Sequence, residues 1–304
     1  MNRSRSRTRI LRLIALFLTA LAVVACASAN KTTVKQVSAE TMRSLSEGDY
    51  QKALDLQKRL HRKEPGNKKI IAGYAAIVEE AKKAADVDRS RKSFGPAAGI
   101  YRTLFDDWGD FSAFAAKLTF KKGEVEAGLR ACRISLNDLQ GRQNVAAGAY
   151  DKALAVYQGA LKDYPGDETL REGYARAVDE IKAAGDRALA AKDFASAGKI
   201  ESLLIRNLKA FEGLETHAAL NGDELLKALK LCSSNLTNSG LAEYRQGNLE
   251  RAIQVWEGLL AFEPGNAEIK KAVETAKAQL GKLRSVAPGG QRDGQNVRGD
   301  RRPD

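Results

Sequence analysis

The chain has 304 residues, 43% of them apolar and only 6% aromatic, with 50 Lys and Arg against 38 Asp and Glu for a net charge of +12. Two histidines and three cysteines are too few for a zinc cluster or a disulfide-stapled scaffold. Five arginines without an acid fall in residues 1–25 and a further +3 in the last 23 residues, so the middle is only weakly basic. It lacks the basic stripe with interleaved aromatics that nucleic-acid binding requires, and the Ala-, Leu-, Lys- and Glu-rich composition favours helices.

In chain order, Arg3, Arg5, Arg7, Arg9 and Arg12 form a basic leader, followed by the apolar run LIALFLTALAVVA at 13–25. That run is too short for an ordinary spanning helix and has signal-peptide proportions. Leu21-Ala22-Val23-Val24-Ala25-Cys26 resembles the bacterial lipobox, with an apolar residue at −3 and a small one at −1 before the cysteine. The resemblance implies cleavage before Cys26 and acylation of Cys26, several acyl chains together giving a stable anchor. Ala27, not Asp, follows, which in that family implies the bacterial outer membrane, facing the periplasm. The alternative is an ordinary secreted protein cleaved near Ala27. Residues 26–38 are small and polar and read as a tether.

The body repeats itself. Gly48-Asp49-Tyr50, Gly148-Ala149-Tyr150 and Gly247-Asn248-Leu249 recur at intervals of 100 and 99, as do Pro65-Gly66, Pro165-Gly166 and Pro264-Gly265. Gly73-Tyr74 matches Gly173-Tyr174, Phe94 matches Phe194, and Cys132 matches Cys232. Small residues at 53, 97, 128, 153, 197, 228 and 252 are spaced 44, 31, 25, 44, 31 and 24 apart. The 25 is too short for a full helix pair, which predicts one long helix serving two roles.

In each copy a glycine ends one helix, Tyr150, Ala153, Tyr157 and Ala160 fall on one face of the next, and Pro165 closes it. The same frame fits Gly48 to Pro65 and Gly240 to Pro264. These motifs resemble tetratricopeptide repeats, helix-turn-helix units of about 34 residues, over residues 34–284. The expected fold is all-α: an α-solenoid of tetratricopeptide-like helix pairs, built from a duplicated unit of about 100 residues and spanning 39–284. Residues 267–283, with Ile269, Val273, Ala276 and Leu280 on one side, are the expected C-terminal capping helix. Residues 285–304, rich in Gly, Arg and Asp, have almost nothing to bury and read as a disordered polar tail, a solubilising one or one that touches anionic lipid or polysaccharide.

No catalytic constellation stands out. Ser196-Ala197-Gly198-Lys199 matches S-x-x-K without its companion motifs, at a place where the repeat needs a helix with Ala197 inside. His61 is expected on a solvated polar face among Lys58, Arg59, Arg62 and Lys63; His217 stands near Glu212 and Glu215 without a second histidine. Cys132 and Cys232 sit at equivalent repeat positions, too far apart for a disulfide in stacked helices, and are expected to be buried free thiols.

The resemblance implies that first helices of successive units line a groove for a peptide or partner helix. Placed on this chain, the groove positions are Asp138, Arg142 and Val145, then Lys182 and Asp186, then Thr237, Leu241, Tyr244 and Arg245. The Lys-and-Asn carboxylate clamp of some family members is not reproduced at Ser38/Met42, Asp138/Arg142 or Thr237/Leu241. The expected function is a non-enzymatic, lipid-anchored periplasmic scaffold binding envelope proteins or peptides in pilus or secretion assembly, outer-membrane protein insertion or cell-wall enzyme regulation. No cofactor, metal or nucleic acid is implied. The alternative is a cell-wall or polysaccharide-binding module without catalysis.

Overall fold

The computed structural model describes residues 36–286 apart from 218 and 219. The signal peptide, Cys26, most of the tether and nearly all of the C-terminal tail lie outside the described residues. Among the described residues all regular structure is helical: α1 (36–46), α2 (Tyr50–Lys63), α3 (Lys68–Ser90), α4 (Phe94–Asp106), α5 (Lys122–Ala146), α6 (Tyr150–Asp163), α7 (Glu168–Ala190), α8 (Phe194–Asn207), α9 (Gly222–Arg245), α10 (Leu249–Leu260) and α11 (Ala267–Val286). Short 3-10 turns follow α4 and α8 at Trp108–Phe111, Ala115–Lys117 and Leu208–Phe211. Helix α1 already includes 36–38, the last residues assigned to the tether.

The chain forms two compact units, 1–136 and 137–304, and the division falls within α5. In the first, α2 packs on α3 and α3 on α4. In the second, α6 packs on α7, α7 on α8, α8 on α9, α9 on α10 and α10 on α11. Within each unit these helices thus pack on their chain neighbours, the helix-pair stacking of an α-solenoid.

Local chemistry sets the boundaries. Gly48, Gly148 and Gly247 adopt φ of +75°, +69° and +82°, the left-handed turn that ends a helix and suits glycine. Asp49, Asn67, Asp167, Asp193 and Asn221 cap the helices that follow, their side chains accepting backbone N–H bonds of the first turn. Helices α2 and α6 stop two residues before Pro65 and Pro165. Helices α5 and α9 are 25 and 24 residues long and each fills the place of two shorter ones, as the spacing required.

The repeated apolar positions form the cores. In the first unit Ala53, Tyr74, Ala97, Tyr101, Phe111, Phe114 and Cys132 are buried together. In the second unit Ala197, Cys232, Ala252, Trp256 and Leu259 join Ile269, Val273 and Ala276 of α11, the side predicted for the capping helix. Cys132 and Cys232 are buried and unpaired, as expected. Ser196 donates its backbone N–H to the cap Asp193, and Ala197 is fully buried, so S-x-x-K is a helix start. His61 departs from expectation. It is half-buried, its ring 5.9 Å from that of Tyr74, because α2 turns it inward against α3.

Candidate functional site

All the groove positions expected from the sequence lie in the second unit, on α5, α7 and α9. Helix α7 begins at Asp167, whose side chain accepts the N–H of Leu170 at 3.3 Å. Its Gly173 admits close neighbours: a Cβ there would stand 2.8 Å from Cε1 of Tyr157. Asp138 of α5 fills the junction of α5, α6 and α7 and is only 8% exposed. The Tyr157 hydroxyl donates to its Oδ1 at 3.0 Å, and Arg142 pairs with its Oδ2 at 3.0 Å. Arg176 of α7 lies 3.9 Å from the same carboxylate and 3.5 Å from Glu172. Burial first, and the Asp138 charge second, push the Tyr157 hydroxyl well above its ordinary pKa. Asp138 is therefore an internal anchor, while Arg142 and Arg176, both more than half exposed, carry the chemistry outward.

The remaining positions separate in the same way. Val145 is buried and packs instead of lining a surface. Lys182 and Asp186 pair across one turn of α7. On α9, the Thr237 carbonyl accepts the Trp256 indole N–H at 3.4 Å, and Tyr244 is half-buried with its ring 5.8 Å from that of Trp256. Leu241 and Arg245, one turn apart, are exposed. The usable polar surface is thus Arg142, Arg176, the Lys182–Asp186 pair and the outer stripe of α9.

A feature absent from the sequence reading lies beside Arg176. A cleft of about 720 Å³ separates α7 from the segment at 215–217, walled by Arg171, Glu172, Arg176 and Asp179 on one side and Glu215 and His217 on the other. The segment is held in place from α7: Arg171 donates to the Gly213 carbonyl at 2.7 Å, and Asp179 accepts the His217 N–H at 3.0 Å. The first unit uses the same device, with Glu79 accepting the N–H and hydroxyl of Thr119. An acid repeated at positions 79 and 179 was the available signal. The imidazole of His217 is exposed in the cleft wall.

The cleft carries both charges. Among the described residues no group of three or more His, Cys, Asp or Glu is placed to hold a metal ion. Among the same residues no helix is long and apolar enough to cross a membrane. Such a surface can bind polar chain segments by hydrogen bonds and ion pairs.

No protein-family model matches the chain, and no curated protein matches it. Among solved structures it is similar to a circular tandem repeat protein with novel repeat topology and enhanced subunit contact surfaces, at 15% identity and a TM-score of 0.19. That match covers 83% of this chain and 64% of the other, so the chain spans less than two thirds of its length.

Proposed function

We propose that the chain is a non-catalytic interaction scaffold that holds a polar segment of a partner protein against the α7 face of the second unit. The observation that carries this reading is the α7 cleft, where Arg176 belongs both to the cleft wall and to the arginine pair anchored on Asp138. A buried carboxylate that orients two exposed guanidiniums gives a preorganised surface, because their positions are fixed before a partner arrives. The resemblance of the repeats to tetratricopeptide units supports the same reading.

The place of action follows from the N-terminal sequence. We infer acylation at Cys26 and attachment to the outer membrane facing the periplasm, with an envelope assembly as the partner. A polysaccharide-binding module would stack sugars on exposed rings, whereas among the described residues none of the exposed large apolar side chains is aromatic.

Co-purification from detergent-solubilised membranes, read by mass spectrometry, tests both parts. The native chain is expected to bring down a stoichiometric envelope protein, and Arg142→Ala/Arg176→Ala to lose it while still folding. Cys26→Ala is expected to leave the membrane fraction. Undiminished recovery with the double variant would remove the α7 face from consideration, and a native chain that purifies alone would end the scaffold reading.

A further inference from the structure

Glu201 on α8 is fully buried, and neither of its carboxyl oxygens has a hydrogen-bond partner. A buried polar group left in this way is costly. The first copy shows the satisfied arrangement. There the equivalent residue is Tyr101, whose hydroxyl donates to Asp86 while Lys82 pairs with the same carboxylate at 2.7 Å. The Tyr101 ring occupies the space beside Gly128, where a Cβ would stand 2.6 Å from Cε1. In the second copy Lys182 and Asp186 keep their ion pair, but glutamate replaces tyrosine, Gly185 replaces Ala85 and Ala228 replaces Gly128. Gly185 is tight against the new carboxyl, since a Cβ there would stand 2.9 Å from Oε1. The core makes room for this carboxyl and gives it no donor.

Lys182 and Asp186 of α7 act on Glu201 through their charges, and the Glu201 charge in turn acts on Cys232 of α9. On α8 itself, Arg206 is engaged by Ser202 and Asp151. Helix α10 and the residues after it meet α8 through Gly258 against Ala195 and Phe262 against Gly198 and Ser202, none of which ionises near neutral pH. Burial raises the Glu201 carboxyl above its ordinary range; Lys182 lowers it and Asp186 raises it in smaller measure.

We propose that Glu201 is a proton-controlled joint between α7, α8 and α9. Uncharged, it lets the three helices close over it. Ionised, it opens them by drawing in water or by taking the Lys182 ammonium from Asp186. The folded chain holds this proton more tightly than the unfolded chain does. Closure is therefore strongest below the unfolded carboxyl range, about pH 4, and weakens as pH rises until the folded value is passed.

The two free cysteines report on this joint. Cys232 borders Glu201, and Cys132 holds the equivalent, buried position in the other copy beside Tyr101. Full-length chain is alkylated with a maleimide from about pH 5 to about pH 8, and peptide mass spectrometry gives the ratio of labelling rates at Cys232 and Cys132. Both thiols are raised above this range, so the rise of thiolate with pH is common to both, and the Glu201 charge, which disfavours the Cys232 thiolate alone, acts only to lower the ratio. In the native chain the ratio is expected to climb with pH, about tenfold for each unit by which folding raises the carboxyl. In Glu201→Gln it is expected to stay flat. A flat ratio in the native chain, or an equal climb in Glu201→Gln, would overturn the proposal; the native series decides alone should the variant not fold. Lys182 and Asp186 also belong to the partner face, but the joint does not depend on that reading and the thiol readout involves no partner.

Discussion

The ring of Tyr157 occupies the space that a side chain on Gly141 would need: a Cβ there would stand 2.5 Å from Cζ and 2.8 Å from the hydroxyl oxygen. The third repeat builds the same contact with Trp256 over Gly240, where a Cβ would lie 2.5 Å from Cδ1. The first carries Thr41 and the non-aromatic Gln57 at these positions. In these two pairs a ring on the second helix fits against bare backbone on the first, and in the first copy both residues of the contact are different.

Gly141→Ala and Gly240→Ala are expected to destabilise the second unit by about 1–3 kcal/mol through overpacking, which outweighs alanine's helix preference of about 1 kcal/mol. Gly159 in α6 has open space around its Cβ position and is exposed. Gly159→Ala is expected to stabilise by up to about 1 kcal/mol. Urea unfolding of the three variants checks both signs.

Tyr157→Phe removes the hydroxyl donor to the buried Asp138 and is expected to cost about 1–3 kcal/mol. Arg142→Ala removes an exposed partner of the same carboxylate and is expected to change stability by less than about 1 kcal/mol. The two variants thus separate folding from partner binding. Equal losses of stability would show that Arg142 is structural.

Burial works against ionisation of Asp86 and Asp110, but hydrogen bonds from Lys82 and Tyr101 to the first, and from Lys58 and Arg62 to the second, hold both below the ordinary aspartate range. The folded chain then binds fewer protons than the unfolded one as pH falls. The stability from these groups is complete above the unfolded value, about pH 4, and is lost as pH drops through the folded values. Lys82→Met is expected to be less stable than the native chain at about pH 7, and the difference is expected to shrink at about pH 3. A difference independent of pH would contradict this.

Lys92 and Lys192 adopt φ of +62° and +61° at the turns before α4 and α8, in the region that glycine fills at Gly48, Gly148 and Gly247. A residue with a Cβ is strained there by about 1–2 kcal/mol, part of which glycine's greater freedom in the unfolded chain offsets. Lys92→Gly and Lys192→Gly are each expected to raise stability by up to about 1 kcal/mol. Thermal melts of the two variants and of the pair test whether the gains add.

Denatured, unreduced chain extracted from membranes is expected to react with a thiol reagent at Cys132 and Cys232 and not at Cys26. Fewer than two modified cysteines would reveal a disulfide. A third would show a free Cys26 and end the lipid-anchor reading.

The helix boundaries at the repeated glycines and prolines were legible because these residues act within a few residues of the chain. The length of α5 and α9 was legible too, since a spacing of 25 or 24 leaves no room for a turn between two helices. Polar burial was not. Asp138 and Arg142 sit one turn apart on one helix and look alike in the sequence, yet only Asp138 meets the Tyr157 hydroxyl brought in by α6. The α7 cleft was hidden for the same reason, because His217 lies 38 positions from the aspartate that fixes it.

By itself the sequence determined an all-helical fold of duplicated units, the helix ends marked by Gly48, Gly148 and Gly247 and by Pro65 and Pro165, and the repeated apolar positions that form the cores. These are properties of short-range backbone geometry and of a period that repeats. Only the tertiary structure decided which polar groups go inside and which converge on a surface. That choice depends on which side chain from another helix fills the neighbouring space, as Tyr157 does over Gly141 and as no donor does beside Glu201.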